Sequence, residues 1–356
     1  MKLLKVLICI CLFLYSCGSC SSSSSNSFVT VKKSKLLLDQ APYYLSGTNQ
    51  YYFFYKDHKM IDDVIEDAKA MNLNVIRTWA FCEGAMHDGF CFQPRPREYH
   101  EPTFRNLDYT VYKAKKEGIR LVLTLANNWS DFGGIDQYLR WVGKGDHDDF
   151  FRDETIKGIY KDYVRYLLNR VNVYTGIAYK DEPTVLMWDL MNEPRSNDKA
   201  ALYAWIDEMA GFIKSIDQNH LVTSGSEGSM ASDFVETHKS KNIDVASFHL
   251  YPDWWGMSSQ QAEDYIKYHA TTAKNVLNKP VYFGEFGIKD QQKRNEVYTR
   301  WYQLGDEYKI NGMLFWILSG RQTDGSLYPD YDGFTIWYPE SGAICETIKY
   351  FSSNRQ

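Results

Sequence analysis

Thr184-Val185-Leu186-Met187-Trp188-Asp189-Leu190-Met191-Asn192-Glu193-Pro194-Arg195 is an apolar run that ends abruptly in an amide, a carboxylate and a proline. It reads as a strand buried on both faces, as central strands of parallel sheets are, with Asn192 and Glu193 emerging at its C-terminal end. That end is where parallel α/β barrels keep their chemistry. A second stretch has the same design. Pro280-Val281-Tyr282-Phe283-Gly284-Glu285-Phe286-Gly287 is again an apolar strand that delivers one glutamate at its C-terminal end. Two carboxylates on two strand ends point to a glycosidase pair.

The same alternation extends outward in both directions. Upstream, Tyr43 to Asn49, Asn74 to Trp79 and Arg120 to Asn127 read as strands; downstream, Leu221 to Ser224, Val245 to His249 and Gly312 to Trp316 do. Between them apolar residues recur at helical spacing. Ile61, Val64, Ile65, Ala68 and Met71 form one stripe, and a helix is expected near Tyr109 to Glu117. One long helix carries Tyr160, Tyr163, Val164, Leu167, Leu168 and Val171 on its buried side. Further helices are expected around Leu202 to Ile213, Tyr265 to Leu277 and Val297 to Leu304, with a closing helix at Ala343 to Phe351. Eight strand-like segments separated by helical ones, without an internal sequence repeat, predict a (β/α)8 barrel. A doubly wound open sheet is the alternative, but no Gly-rich phosphate loop follows the first strand. Ahead of the barrel, Phe28 to Val31 and Leu36 to Leu38 flank a polar turn and read as a hairpin plugging the bottom.

A chain of 356 residues with 44% hydrophobic content can bury the core of one such barrel without a second domain. The net charge of −5, with both signs interspersed, argues against nucleic acid and anionic membranes as partners. No protein partner is inferred, and a monomer is expected. The 27 Tyr, 19 Phe and 10 Trp fill the core first, yet flat apolar ring faces are also what a sugar-binding cleft needs.

Residues 1–20 read as an export signal: Lys2 and Lys5, an apolar run from Val6 to Tyr15 too short to span a bilayer, then Ser16-Cys17-Gly18-Ser19. Residues 21–27 form a Ser-rich tether, and residues 28–356 a single catalytic domain. Secretion is the first expectation. Leu14-Tyr15-Ser16-Cys17 loosely resembles a bacterial lipoprotein box, which makes a lipid anchor on Cys17 the second. Of seven cysteines, only Cys82, Cys91 and Cys345 lie in the folded part. In an oxidising compartment Cys82 and Cys91 can bridge, with Cys345 buried; three free thiols is the equal alternative. No Cys-x-x-Cys or His-x-x-x-His spacing marks a metal site, and neither a metal nor an organic cofactor is expected.

Polar residues gather at the strand ends: Arg77 and Trp79, Asn127, Asn192 and Glu193, Glu227, His249 and Tyr251, Glu285, and Trp316. Singly, each has a plain structural reading, Arg77 as an ion pair, His249 as a satisfied core histidine, Trp316 as packing. Together they converge on one face of the barrel.

Asn192-Glu193-Pro194, Arg77, His249-Leu250-Tyr251, Glu285 and Trp316 resemble the active-site set of glycoside hydrolase family 5. More narrowly, Asn127-Asn128-Trp129-Ser130-Asp131-Phe132-Gly133-Gly134, Asn192-Glu193-Pro194-Arg195 and His249-Leu250-Tyr251-Pro252-Asp253-Trp254-Trp255-Gly256 resemble the plant and fungal endo-β-1,4-mannanases. The resemblance implies Glu193 as general acid/base, its pKa raised, and Glu285 as nucleophile, held ionised by Arg77 and Tyr251. It implies that Asn192 binds the sugar 2-hydroxyl, that His249 orients the acid/base and that Trp316 is a platform under the sugar. Trp79, Trp129, Arg195, Glu227 and Trp255 would line the rest of an open cleft for a mannan-type polysaccharide. Two departures stand out: Ser196 where relatives carry a bridging cysteine, and Ser229-Met230 where an aromatic is usual. Mannan as substrate rests on the resemblance alone; a β-1,4-glucanase and a non-catalytic sugar-binding barrel are the alternatives. Retaining both glutamates argues against the last.

Overall fold

The computed structural model describes residues 27–85, 91–230 and 232–355. The expected leader, with all but the last residue of the tether, lies outside the described residues. Three short antiparallel strands come first: β1 (Thr30–Lys32), β2 (Lys35–Leu38) and β3 (Ala41–Pro42). Eight strands follow in one sheet: β4 (Leu45–Gln50), β5 (Val75–Trp79), β6 (Arg120–Thr124), β7 (Val185–Asp189), β8 (Leu221–Thr223), β9 (Ala246–Leu250), β10 (Val281–Phe286) and β11 (Gly312–Phe315). Neighbouring strands pair parallel in the order β8-β7-β6-β5-β4-β11-β10-β9. The seam between β8 and β9 is held by a parallel bridge between Thr223 and Val245. With helices between the strands, this is the (β/α)8 barrel that the alternation predicts.

All eight strands are buried along their whole length, because side chains fill the barrel on one face and helices cover the other. At the bottom, Val29 and Leu36 pack with Leu45, Val75, Val122, Leu186, Leu221, Val245 and Leu314, near the N-terminal ends of the strands. The N-terminal sheet therefore plugs the barrel. Burying a side chain such as Leu36 stabilises the fold by about 1.5–3 kcal/mol.

The structure departs from the sequence reading in three places. Ala41–Pro42 pairs back onto β2, so the first barrel strand begins at Leu45 rather than Tyr43. The helix expected near Tyr109 begins at Glu101, with Pro102 in its first turn and Phe104, Leu107, Val111 and Ala114 buried in one stripe. The single long helix before β7 is three: Gly134–Val142, Asp149–Arg152 and Glu154–Asn169. Gly143 ends the first in a left-handed conformation, and Asp153 starts the last by accepting from the Thr155 and Ile156 N–H groups. Val171 lies beyond the last helix and is exposed, not on the buried stripe.

Candidate active site

Glu193 leaves the barrel wall in an uncommon backbone state. Its φ is +52°, a left-handed conformation that costs a non-glycine residue about 1–3 kcal/mol. Hydrogen bonds beyond the end of β7 hold it there: Asn192 N–H donates to Ala126 O at 2.9 Å, Glu193 N–H to Gly225 O at 3.0 Å, and Asn128 N–H to Asn192 O at 3.1 Å. On the other side of the barrel, the pairing of β10 with β9 skips Gly284, so that Glu285 stands opposite His249. A β-carbon at Gly284 would lie 3.1 Å from His249 Nε2 and from the Tyr282 ring, so a side chain at the bulge would press on the histidine.

These devices bring the two carboxylates together. One oxygen of Glu193, one of Glu285 and a ring nitrogen of His249 all lie within 4.8 Å of one another. Among the described residues this trio is the cluster with metal-ligand spacing. Beside it stands a fixed positive charge, Arg77, whose Nη1 lies 2.5 Å from Glu285 Oε1.

Arg77 is fully buried, and its guanidinium ties four groups together. Nε donates to Asp189 Oδ2 at 2.8 Å, Nη1 to Asn49 Oδ1 at 3.2 Å and to Glu285, and Nη2 to Asn192 Oδ1 at 3.0 Å. The Tyr251 hydroxyl donates to Glu285 Oε2 at 2.6 Å. Glu193 has weaker company: the Trp129 indole N–H reaches Oε2 at 2.8 Å, and His249 Nδ1 lies 2.7 Å from Oε1.

The partners separate the two acids electrostatically. Burial pushes the Glu193 carboxyl up, and the Trp129 hydrogen bond and more distant arginines only partly oppose this. Burial also pushes Glu285 up, but the Arg77 guanidinium and the Tyr251 hydroxyl favour its charged form. With a guanidinium at 2.5 Å and a phenol at 2.6 Å, Glu285 is the one of the pair to ionise first. Burial holds His249 below the usual histidine range, hence neutral.

Above this pair lies a cleft of about 650 Å³. Of the expected site residues, Trp79, Asn127, Trp129, Asn192, Glu193, Arg195, Glu227, Tyr251, Trp255, Glu285 and Trp316 line it. Arg77 and His249, expected among those that touch substrate, do not line it; both are fully buried and act on the carboxylates from beneath. Trp79 is only 5% exposed and serves the core as much as the cleft. Sequence reasoning missed Asp189, Asn49, Tyr51, Phe132, Trp254, Tyr331 and Asp332. Asp189 carried a signal, a charge inside a run buried on both faces; Tyr331 and Asp332, in a loop without pattern, carried none.

Arg195 and Glu227 form a two-bond ion pair across the cleft, with Nη2 to Oε2 at 2.7 Å, and the guanidinium lies 4.7 Å from the Trp129 ring centre. Beyond them is a second recess of about 470 Å³, lined by Ser196, Ser226, Gly228 and Ser229 among others. Ser196 Oγ donates to Asp148 Oδ1 at 2.8 Å, so a hydroxyl ties this loop. Cys82 and Cys91 are bridged, with Cα atoms 4.6 Å apart, and Cys345 is free and buried.

Comparison with known proteins agrees with this geometry. Residues 26–311 match the family model described as GH family 5 beta-mannosidase-like. "Mannan endo-1,4-beta-mannosidase 7" of Arabidopsis thaliana is 35% identical over 370 residues, spanning 91% of this chain and 84% of the relative. "Putative mannan endo-1,4-beta-mannosidase 4" of the same plant is 36% identical, over 77% of this chain and 76% of its own. Among solved structures, the endo-1,4-beta-mannanase of Rhizomucor miehei superposes with a TM-score of 0.84 at 30% identity, covering 92% of this chain and 99% of that one. The endo-beta-1,4-mannanase of Thermotoga petrophila gives 0.80 at 37%, covering 88% and 78%. A buried carboxylate pair at the strand ends of a barrel, matched over most of the chain, places this protein in glycoside hydrolase family 5, among the β-mannosidase-like enzymes.

Proposed function

We propose that this glycoside hydrolase is a secreted endo-enzyme that cuts internal β-1,4-mannosidic bonds in mannans, by double displacement with retention of configuration. The observation that carries the mechanism is the closeness of the pair, with oxygens of Glu193 and Glu285 within 4.8 Å. Retaining enzymes hold their carboxyls about 5–5.5 Å apart, whereas an inverting water needs roughly 6.5–9.5 Å.

In the first step a Glu285 oxygen bonds to C1 as the C1–O bond to the leaving sugar breaks, and the proton of Glu193 passes to the departing oxygen. In the second, Glu193, now a carboxylate, takes a proton from water. The water oxygen bonds to C1, and the ester to Glu285 opens with its electron pair returning to the carboxylate. His249 holds Glu193, and Asn192, whose amide oxygen is fixed by Arg77, turns its N–H₂ toward Asn127 and the cleft.

An open cleft rimmed by Tyr51, Trp129, Trp254, Trp255 and Trp316 suits several sugars in a row. Mannan is favoured over glucan by the activity for which the relatives are named. Export is supported by the apolar leader and by a Cys82–Cys91 bridge suited to an oxidising compartment. Incubation with mannan, cellulose and xylan tests the reading. The expected result is a rapid viscosity drop and mixed short oligosaccharides from mannan. Faster cleavage of cellulose overturns the substrate, and release of monosaccharide alone overturns the internal cut.

A further inference from the structure

Trp129 reaches Glu193 from a loop, residues 127–134, and that loop rests on a carboxyl with no part in the chemistry above. Glu83 is 3% exposed. Its backbone N–H donates to Phe132 O at 2.9 Å, and its Oε2 accepts from the Gly134 N–H at 3.1 Å. The fit is close: a β-carbon on Gly133 would lie 2.3 Å from Glu83 O, and one on Gly134 would lie 1.9 Å from Trp129 O. Behind Glu83, the Cys82–Cys91 bridge and the Glu83–Gln93 pairing fix its own backbone. The loop so held also carries Asn127, Asp131 and Phe132 to the cleft wall.

We propose that Glu83 is a positioning residue for the acid/base. Its buried carboxyl accepts from the Gly134 N–H and so anchors the loop that delivers the Trp129 indole to Glu193. This rests on the acid/base role proposed for Glu193. A mere packing role would be served by any apolar side chain; here a polar group is kept in a dry place for one backbone donor.

The surroundings favour the neutral acid. Burial pushes the Glu83 carboxyl up to about 8, with the Gly134 N–H and the Tyr138 phenol only partly opposing it. The titratable groups facing it are the phenols of Tyr138, Tyr160 and Tyr163, each pushed up by burial, and none supplies a positive charge at working pH. The loop's own acid, Asp131, is exposed to solvent. Above pH 8 a carboxylate forms in a dry place with no cation beside it, and that buried charge destabilises the fold. Stability from the neutral acid is complete below about 4.5, falls as pH rises, and is lost once pH passes the folded value near 8.

The test compares Glu83→Gln, Glu83→Ala, Trp129→Phe and the Glu83→Ala/Trp129→Phe double variant on mannohexaose and by thermal melting. Glutamine keeps an oxygen for the Gly134 N–H but cannot ionise. It should hold kcat/KM within about twofold of wild type at pH 6, and its melting temperature should gain on wild type steadily from pH 5 to 8. Glu83→Ala should lower kcat at least tenfold, yet less than threefold when Trp129 is already Phe, because the bond it positions is then gone. Equal losses from Glu83→Ala in both backgrounds overturn the proposal, as do melting curves of wild type and Glu83→Gln that run parallel across pH. If the alanine variant does not fold, the glutamine comparison decides alone. The failure of Glu193 as acid/base would show separately, as undiminished turnover in Glu193→Ala, and would leave the melting comparison unchanged.

Discussion

Arg77 and Asp189 meet at 2.8 Å, and neither side chain has any exposed surface. Thr124 Oγ1 donates to the same aspartate oxygen at 3.0 Å. The pair fixes the guanidinium so that its other nitrogens reach Glu285 and Asn192. Replacing Asp189 by Leu leaves a buried cation short of one partner, which typically costs about 3–5 kcal/mol. Urea unfolding should show a loss of that size, with kcat reduced by more than tenfold because Arg77 is no longer aimed. Wild-type turnover in Asp189→Leu would show that Glu285 and Asn192 alone orient Arg77.

The division of labour proposed for the glutamates predicts opposite responses to the leaving group. Glu285→Ala should abolish turnover of every substrate while mannohexaose still binds. Glu193→Ala should lose several orders of magnitude on oligosaccharides, whose leaving oxygen needs a proton, and far less in the bond-breaking step with a dinitrophenyl mannobioside. Pre-steady-state release of dinitrophenol reads that step directly. Equal losses on both substrates in the Glu193 variant would contradict its role as acid.

Much of this arrangement was legible beforehand because it follows from periodicity and position. An apolar run that ends in Asn192-Glu193-Pro194, and a second that ends in Glu285, announce themselves as strand ends whatever surrounds them. Helix boundaries were less legible from the apolar stripes: the Asp153 cap and Gly143 stop split one expected helix into three elements, and neither signal is apolar. Layers within the site were not legible. Arg77 and His249 were found as polar residues at strand ends, but whether such a residue faces the cleft or lies beneath it depends on pleat and bulge, as the skipped Gly284 shows. Loop residues such as Tyr331 and Asp332 reach the cleft only through the tertiary fold.

With Glu193 as the proposed acid, Trp129 is expected to set its working range. Its N–H stabilises the Glu193 carboxylate, so it pulls down a pKa that burial has raised. Trp129→Phe removes that donor and keeps the ring. The protonated form then persists to higher pH, and the alkaline limb of kcat/KM should move upward, with a lower maximum because the carboxyl is less well held. A limb displaced downward, or unmoved, would mean that another group controls it.

The Cys82–Cys91 bridge closes a small loop, nine residues apart in sequence, beside the Glu83 anchor. Loop-closure entropy for that length amounts to about 2–3 kcal/mol. Cys82→Ser/Cys91→Ser, or reduction of the wild type, should lower stability by this amount and lower the melting temperature by several degrees. Cys345 is buried and single, so Cys345→Ser should leave the response to reductant unchanged. Insensitivity of the wild-type melting temperature to reductant would show that the bridge contributes nothing to the fold.

Trp316 is built as a fixed surface. Its ring is half-buried at the end of β11, stacks near Tyr51 with centroids 6.2 Å apart, and leans on Trp79 at 5.9 Å. Its indole N–H donates to Asp332 Oδ2 at 2.7 Å, which prevents rotation and satisfies an aspartate that burial has raised. A ring pinned on three sides offers its remaining face to a sugar without an entropy cost at binding. Trp316→Ala should therefore cost about 1–3 kcal/mol of transition-state binding, roughly 5- to 150-fold in kcat/KM. Trp316→Phe keeps an apolar face but frees Asp332 of its donor, so its loss should be smaller on substrate yet accompanied by a rise in the Asp332 pKa. Asp332→Ala separates the two contributions: the platform remains but is no longer pinned, and kcat/KM should fall less than in Trp316→Ala. An alanine at 332 that costs as much as one at 316 would mean that Asp332 itself, and not the ring it holds, makes the contact with the sugar.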